Sequence, residues 1–142
     1  MPVKTITAAD QRRAANIFNI LASIAVVLMP LIIPMMLWIA ASIFVHASVA
    51  HHPNQRVRDY LYPGGYRFYG LVGSLVVLLN FSPQMSAWFP GQIHMGMLRI
   101  PMFWVWLWVA SILIIVPFAA RDIMRANREL WKPMMVEVEN DA

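Results

Sequence analysis

The fold is decided by a short proline-containing segment in the middle of the longest uncharged run of the chain, Met29-Pro-Leu-Ile-Ile-Pro-Met35. No charged residue lies between Arg13 and Arg56, and the apolar part of this run spans 17–49. As a single helix it would be about 50 Å long, well beyond the ~30 Å hydrocarbon thickness of a bilayer. Because each proline removes a backbone donor, two structures remain open: one long kinked helix, or a hairpin of short helices at 17–29 and 35–49.

Composition places this run in a membrane protein. Of the 142 residues, 60% are hydrophobic and 13% are charged, whereas soluble domains are ~45–50% apolar and ~25% charged. These values exclude a soluble enzyme, and they exclude disorder, which requires few apolar residues and many charges. Two further uncharged gaps each predict one membrane span, at 69–83 and 101–119. The loop between them is indicated by Pro83, Pro90, Gly91 and Gly96.

The distribution of positive charge favours the hairpin over the single long helix. With three spans, four cations would lie on one side of the membrane and seven on the other. With four crossings, Arg99 alone lies outside and the other ten Lys and Arg residues lie inside. Basic residues collect on the cytoplasmic side, so the sequence predicts four crossings, with both termini and the 51–69 loop in the cytoplasm. This bias is typical of a bacterial inner-membrane protein.

The predicted architecture is thus an all-α, polytopic integral membrane protein. We expect one transmembrane domain over 1–135 and a disordered polar tail over 136–142. The pair Gly70-x-x-x-Ser74 would let another helix approach closely, although such small-residue pairs are common.

Two basic surfaces are predicted on the cytoplasmic side. In the 51–69 loop, the turn signals Pro53-Asn54 and Pro63-Gly64-Gly65 bracket a basic, aromatic stretch. An amphipathic helix over 121–132 would either continue the last span or bend at Pro117 to lie along the inner leaflet. It would place four cations on one stripe, at ~100° per residue. We expect these surfaces to bind anionic lipid or a partner protein, and we expect no nucleic acid. The residues concerned are Arg56, Arg58, Arg67, Arg121, Arg125, Arg128 and Lys132.

A methionine- and histidine-rich segment is the candidate metal site. It consists of His94, Met95 and Met97, and soft thioethers with an imidazole suit Cu(I). Copper is the only cofactor that the sequence suggests, and methionine is more commonly an adaptable packing residue. The chain contains no cysteine, which excludes thiolate ligands. His46 and His94 fall on opposite sides of the predicted membrane, so they cannot share a haem.

The remaining patterns argue against catalysis. The sequence has no Gly-rich phosphate loop, catalytic triad, paired-carboxylate site or metalloprotease motif, and no acidic residue lies inside a predicted span. Proton- and cation-coupled carriers usually place an ionisable group there. We therefore expect a non-enzymatic accessory or structural subunit of a larger membrane complex, in contact with other subunits or a second copy. Two alternatives stay open: a copper-handling or redox-associated subunit, and a small pore or carrier whose only polar lining would be Asn16, Asn19, Asn80 and a few serines.

Overall fold

The computed structural model describes residues 2–138 and is 72% helical, with five helices. The helices are α1 Ala8–Val27, α2 Ile32–Ala50, α3 Gln55–Leu79, α4 Ser82–Trp88 and α5 Met102–Arg128. Four short strands accompany them: β1 Val3–Ile6, β2 Gln92–Met95, β3 Leu98–Pro101 and β4 Met134–Glu137. The predicted helical class is confirmed, whereas the two small antiparallel ribbons, β1–β4 and β2–β3, were not predicted.

The proline-containing segment separates two helices, as the hairpin hypothesis requires. α1 ends at Val27 and α2 begins at Ile32. Pro34 lies in the first turn of α2, where a missing backbone N–H costs nothing because that group has no partner inside the helix. α1 begins earlier than predicted, because the Thr7 side chain accepts a hydrogen bond from the Asp10 backbone N–H (3.1 Å) and caps the helix.

The predicted loop over 51–69 is wrong for most of its length. Only 51–54 forms a turn, and α3 begins at Gln55 under a cap in which Asn54 Oδ1 accepts from the Arg56 N–H (2.9 Å). Pro63-Gly64-Gly65 lies inside α3. Among the described glycines, positive φ occurs only elsewhere in the chain, so this pair does not serve a turn. The glycines instead let neighbouring helices approach closely.

The helix predicted over 121–132 continues the last span, which is one of its two predicted arrangements, but it ends earlier than predicted. α5 continues through Pro117 and ends at Arg128, after which the chain is extended. β4 then pairs with β1, with Val3 opposite Glu137. The predicted disordered tail therefore begins too early, because Val136 and Glu137 belong to this ribbon. Residues 139–142 of that tail lie outside the described part of the chain.

The long helices alternate in direction, and α1 packs against each of the other three. Asn16 of α1 meets Asn127 near the end of α5, and Val27 meets Trp108 near its start. We call the end formed by the start of α1, the 51–54 turn and the end of α5 the basic end. The opposite end, with α4 and the β2–β3 ribbon, is the hairpin end. The core centres on Phe18, which is fully buried.

Two helices, α2 and α5, are long and apolar enough to cross a membrane. A third span results if α3 and α4, which are bent by 83° at their junction, are taken together. α1 falls outside this set because Asp10, Arg12 and Arg13 occupy its first turns.

Candidate functional site

The seven cations predicted to form binding surfaces all lie at the basic end, but they differ in how freely they face outward. Arg67 is held inside the bundle, where its Nη2 lies 2.7 Å from Asp122 Oδ2. Its side chain is 19% exposed and that of Asp122 is 9% exposed. Asp122 lies beyond the last predicted span, 101–119, whereas the structure buries it in α5. Arg67 is thus an internal partner of α5 rather than part of a surface.

The aromatic ring of Phe118 adds cation–π contacts to this ion pair. The guanidinium carbon of Arg67 lies 5.7 Å from the ring centre, and that of Arg121 lies 5.2 Å from it. Arg121 Nε also approaches Asp122 Oδ1 at 3.4 Å. Two of the predicted surface cations therefore converge on one buried carboxylate that joins α3 to α5.

Arg56 is engaged as well, at the edge of the basic end. Its Nε donates to Glu129 Oε1 at 2.5 Å, which joins the start of α3 to the residue after α5. Burial by itself raises the pKa of Glu129, but hydrogen bonds from Arg56 and Tyr60 and the charge of Arg56 lower it below its ordinary value. A lowered folded-state pKa means that this contact stabilises the fold at neutral pH, and that the contribution is lost as the pH falls through that value.

The remaining predicted cations are the ones available at the surface. Within residues 2–138, Arg125, Arg128 and Lys132 form no ion pair. Arg125 and Arg128 are exposed in the last turns of α5, whereas Lys132 lies beyond the helix and not on the predicted stripe. Arg58 is partly buried, and its Nε has no hydrogen-bond partner among the described residues.

A buried glutamine holds the basic end together, and sequence reasoning missed it. Gln11 is completely buried, and its Nε2 donates to the backbone oxygens of Lys132 (2.7 Å) and Ile6 (3.3 Å). Its Oε1 accepts from Asn54 Nδ2 at 2.6 Å. One side chain thus links the β1 segment, the 51–54 turn and the chain after α5. The signal in the sequence was the spacing of Gln11, Asn16 and Asn19, which places three polar residues on the same side of α1.

The three asparagines of the pore hypothesis do not line one continuous path through the bundle. Asn16 Nδ2 donates to Asn127 Oδ1 (2.8 Å), and Asn19 donates to the Tyr60 carbonyl (3.4 Å), both inside the packed basic end. Asn80 lies exposed at the far end of α3. The structure therefore uses two of them as contacts between helices.

His46 lies in an aromatic pocket close to these buried asparagines. Its ring centre lies 5.7 to 6.1 Å from those of Phe18, Tyr62 and Tyr69. A Cβ atom at Gly65 would lie 2.7 Å from His46 Nε2, so the histidine packs directly on the backbone of α3. At Gly64 an added Cβ atom would clash with the Asn19 side chain. The two contacts, with His46 and with Asn19, explain the Gly-Gly sequence that resembled a turn.

The predicted copper ligands lie in the β2–β3 ribbon. His94 and Met95 are consecutive strand residues, so their side chains point to opposite faces. Met97 is fully exposed at the turn. Among the described residues, no group of three or more His, Cys, Asp or Glu side chains could hold a metal. Copper binding by His94, Met95 and Met97 stays a prediction, which would require ligands from both faces or from a second chain.

An apolar groove of about 650 Å³ lies at the hairpin end. It lies between α2 and α3 and is bordered by β3 and the start of α5. Its lining includes Met29, Met35, Leu75, Arg99, Ile100 and Trp104. The volume falls within the ~300–1,000 Å³ range of small-molecule sites. Comparison of the chain with models of known protein families, with curated proteins and with solved structures gave no match.

Proposed function

We propose that this chain is a small, non-enzymatic accessory or structural subunit of a larger assembly in the bacterial inner membrane. Its four long helices cross the bilayer as two hairpins. The basic end, with both termini, lies in the cytoplasm, and the hairpin end lies on the opposite side.

The observation that carries this proposal is the separation of charge between the two ends of the bundle. Of the 11 Lys and Arg residues, Arg99 alone lies at the hairpin end. Between these ends run α2, with 19 residues, and α5, with 27. At ~1.5 Å per residue, even the shorter helix approaches the ~30 Å of a hydrocarbon core. The asymmetry is that of a membrane protein whose basic end stays in the cytoplasm.

The polarity of α1 is compatible with a crossing because, apart from the exposed Asp10, Arg12 and Arg13 of its first turns, its polar side chains point inward. Gln11, Asn16 and Asn19 are buried against the other helices, where they donate the hydrogen bonds described above. The outward side chains of its second half are apolar and include Ile20 and Ile24. A lipid environment would therefore meet hydrocarbon along this half of the helix.

The accessory role is supported by a stripe of small residues on the outer face of α3. Gly70 and Ser74 are exposed, and a Cβ atom at Gly70 or Gly73 would meet nothing within 4 Å. Within a membrane, small residues at this spacing let a second helix pack closely. The partner of this face in the proposal is a transmembrane helix of another subunit.

Single-cysteine labelling tests the topology directly, because the chain contains no cysteine. Gln55→Cys lies at the basic end and Gln92→Cys at the hairpin end, and both positions are exposed. In intact cells, a membrane-impermeant maleimide should label the Gln92 variant and should label the Gln55 variant only after permeabilisation. Labelling of Gln55→Cys in intact cells would overturn the orientation, and recovery of the protein in the soluble fraction would overturn membrane insertion.

The subunit role is tested by replacing the small stripe. In mild detergent the wild-type protein should co-migrate with other membrane proteins at a constant ratio. Gly70→Leu with Ser74→Leu should release it as a free chain, because the larger side chains block helix approach without touching the bundle. The matched control, Ile33→Leu with Phe44→Leu on the exposed face of α2, should stay in the assembly. A wild-type chain that migrates alone would contradict the proposal.

A further inference from the structure

The apolar groove at the hairpin end has the shape and lining of a site for a hydrocarbon chain. Its walls come from α2 and α3, and β3 with the start of α5 closes one end. Apart from Arg99, the groove is lined by apolar side chains. The groove is open along one side, because Met36 and Val76 on its edges are 64% and 58% exposed. A flexible chain could therefore enter from the side without any helix moving.

Methionine provides part of this lining. Met29 and Met35 are almost completely buried at the base of the groove, and Met36 lies at its edge. Unbranched, polarisable thioethers adapt to irregular and mobile partners better than branched side chains do. Three of the methionines at this end are thus placed to contact a ligand through van der Waals packing rather than through metal coordination.

Arg99 adds a specific electrostatic preference at the rim. Its side chain is exposed and lines the groove, and among residues 2–138 it forms no ion pair. In the sequence, no Asp or Glu occurs between Asp59 and Asp122, so this end of the bundle has no internal carboxylate to neutralise it. A lone cation beside a hydrocarbon-sized groove complements a molecule with an anionic head and an apolar chain.

We propose that this groove binds one acyl chain of an anionic phospholipid, with the phosphate held by Arg99. The inference rests on the proposed membrane location, since it requires the hairpin end to lie at the level of lipid headgroups. It makes the protein a selective lipid-binding subunit, with a phospholipid site in the leaflet opposite the basic end. A transmembrane helix of a second copy is the competing occupant of the same groove.

Native mass spectrometry of the full chain tests the site. After delipidation in detergent, the protein is titrated with phosphatidylglycerol or phosphatidylcholine that carry the same acyl chains. Wild type should retain one lipid and prefer phosphatidylglycerol by about fivefold, the ratio expected from one cation at a membrane surface. Arg99→Gln should still bind lipid but lose the preference, and Arg99→Lys should restore it. Met36→Trp, which fills the groove from its exposed edge, should lose both lipids.

The control is Phe44→Trp, which introduces the same side chain on the same helix at an exposed position that does not line the groove. It should bind both lipids as wild type does. Equal lipid loss in the Phe44 and Met36 variants, or an unchanged preference in Arg99→Gln, would overturn the site. A wild-type dimer that excludes lipid and dissociates in Met36→Trp would assign the groove to a second copy instead. If the lipid-binding test fails while the cysteine variants are labelled as predicted, the lipid site is refuted and the proposed membrane topology is unaffected.

Discussion

Replacing Asp122 with Asn should destabilise the protein by about 3 kcal/mol, the lower part of the range for breaking a buried ion pair. The substitution keeps the shape of the side chain but leaves Arg67, whose side chain is 19% exposed, without a full negative charge beside it. The stacking of Phe118 on Arg67 cannot replace that charge, because a cation–π contact contributes only ~0.5–2 kcal/mol. The free energy of unfolding, measured by titrating the detergent-solubilised protein with SDS, reports the effect.

The double variant Arg67→Met with Asp122→Leu tests whether the ion pair stabilises the protein by more than the cost of burying its two charges. Replacing both partners with apolar residues of similar size is often neutral or stabilising, so this variant should recover most of the lost stability. The control is Asp59→Asn, the same substitution at a carboxylate that is 44% exposed and lies 3.8 Å from Arg56. It should change the free energy of unfolding by less than ~1 kcal/mol. Equal effects at Asp59 and Asp122 would show that the buried pair has no special role.

Replacing Gly65 with Ala should destabilise the protein by about 2 kcal/mol, within the range for overpacking a filled core. The new methyl group would meet the His46 ring at a distance of 2.7 Å. That ring cannot move aside easily, because Phe18, Tyr62 and Tyr69 surround it. The same SDS titration measures the loss.

Gly70 is the matched control on the same helix. An added Cβ there meets nothing within 4 Å, so Gly70→Ala should stabilise the protein by up to ~1 kcal/mol through helix propensity alone. Opposite signs at the two positions would identify Gly65 as a contact between helices. Adding His46→Ala to Gly65→Ala should remove the clash, so the two substitutions together should cost less than the sum of their separate effects. A stabilising Gly65→Ala would refute the packing argument.

The elements that depend on local chemistry could be predicted from the sequence. Pro30 and Pro34 in an apolar run too long for one helix left a kinked helix and a hairpin open, and the charge distribution favoured the hairpin, which has the break between α1 and α2 that the structure contains. Proline alone does not decide such a break, because Pro63 and Pro117 lie inside α3 and α5. The charge asymmetry was equally visible, since it needs only the order of residues along the chain.

The turn that was wrongly predicted at Pro63-Gly64-Gly65 is a feature that the local sequence could not decide. The same residues form turns when glycine supplies positive φ and form helix contacts when it supplies space. Only the positions of Asn19 and His46 on other helices distinguish these cases, and the sequence does not contain those distances. The ion pair of Arg67 with Asp122 was missed for the same reason: the partners are 55 residues apart.

The copper hypothesis depended on proximity along the chain rather than in space. His94 and Met95 are neighbours in sequence, but strand geometry turns them to opposite faces. The methionines that do gather, Met29, Met35 and Met36, come from the first hairpin and line the groove. They belong to the short segment around Pro30 and Pro34, so their proximity was visible in the sequence, but the walls that α3 and β3 add to the groove were not.

The β1–β4 ribbon has a consequence for the order in which the molecule can be completed during synthesis. β1 is the first strand of the described chain. Its partner, β4, emerges from the ribosome only after helices α1 to α5 have been made. Until Lys132 has been translated, the Gln11 amide lacks its 2.7 Å acceptor and keeps only the longer 3.3 Å contact to the Ile6 carbonyl. A buried amide whose hydrogen bonds are incomplete destabilises the region that buries it. The basic end should therefore close last, so that a nascent or prematurely terminated chain keeps this region open to chaperones and proteases.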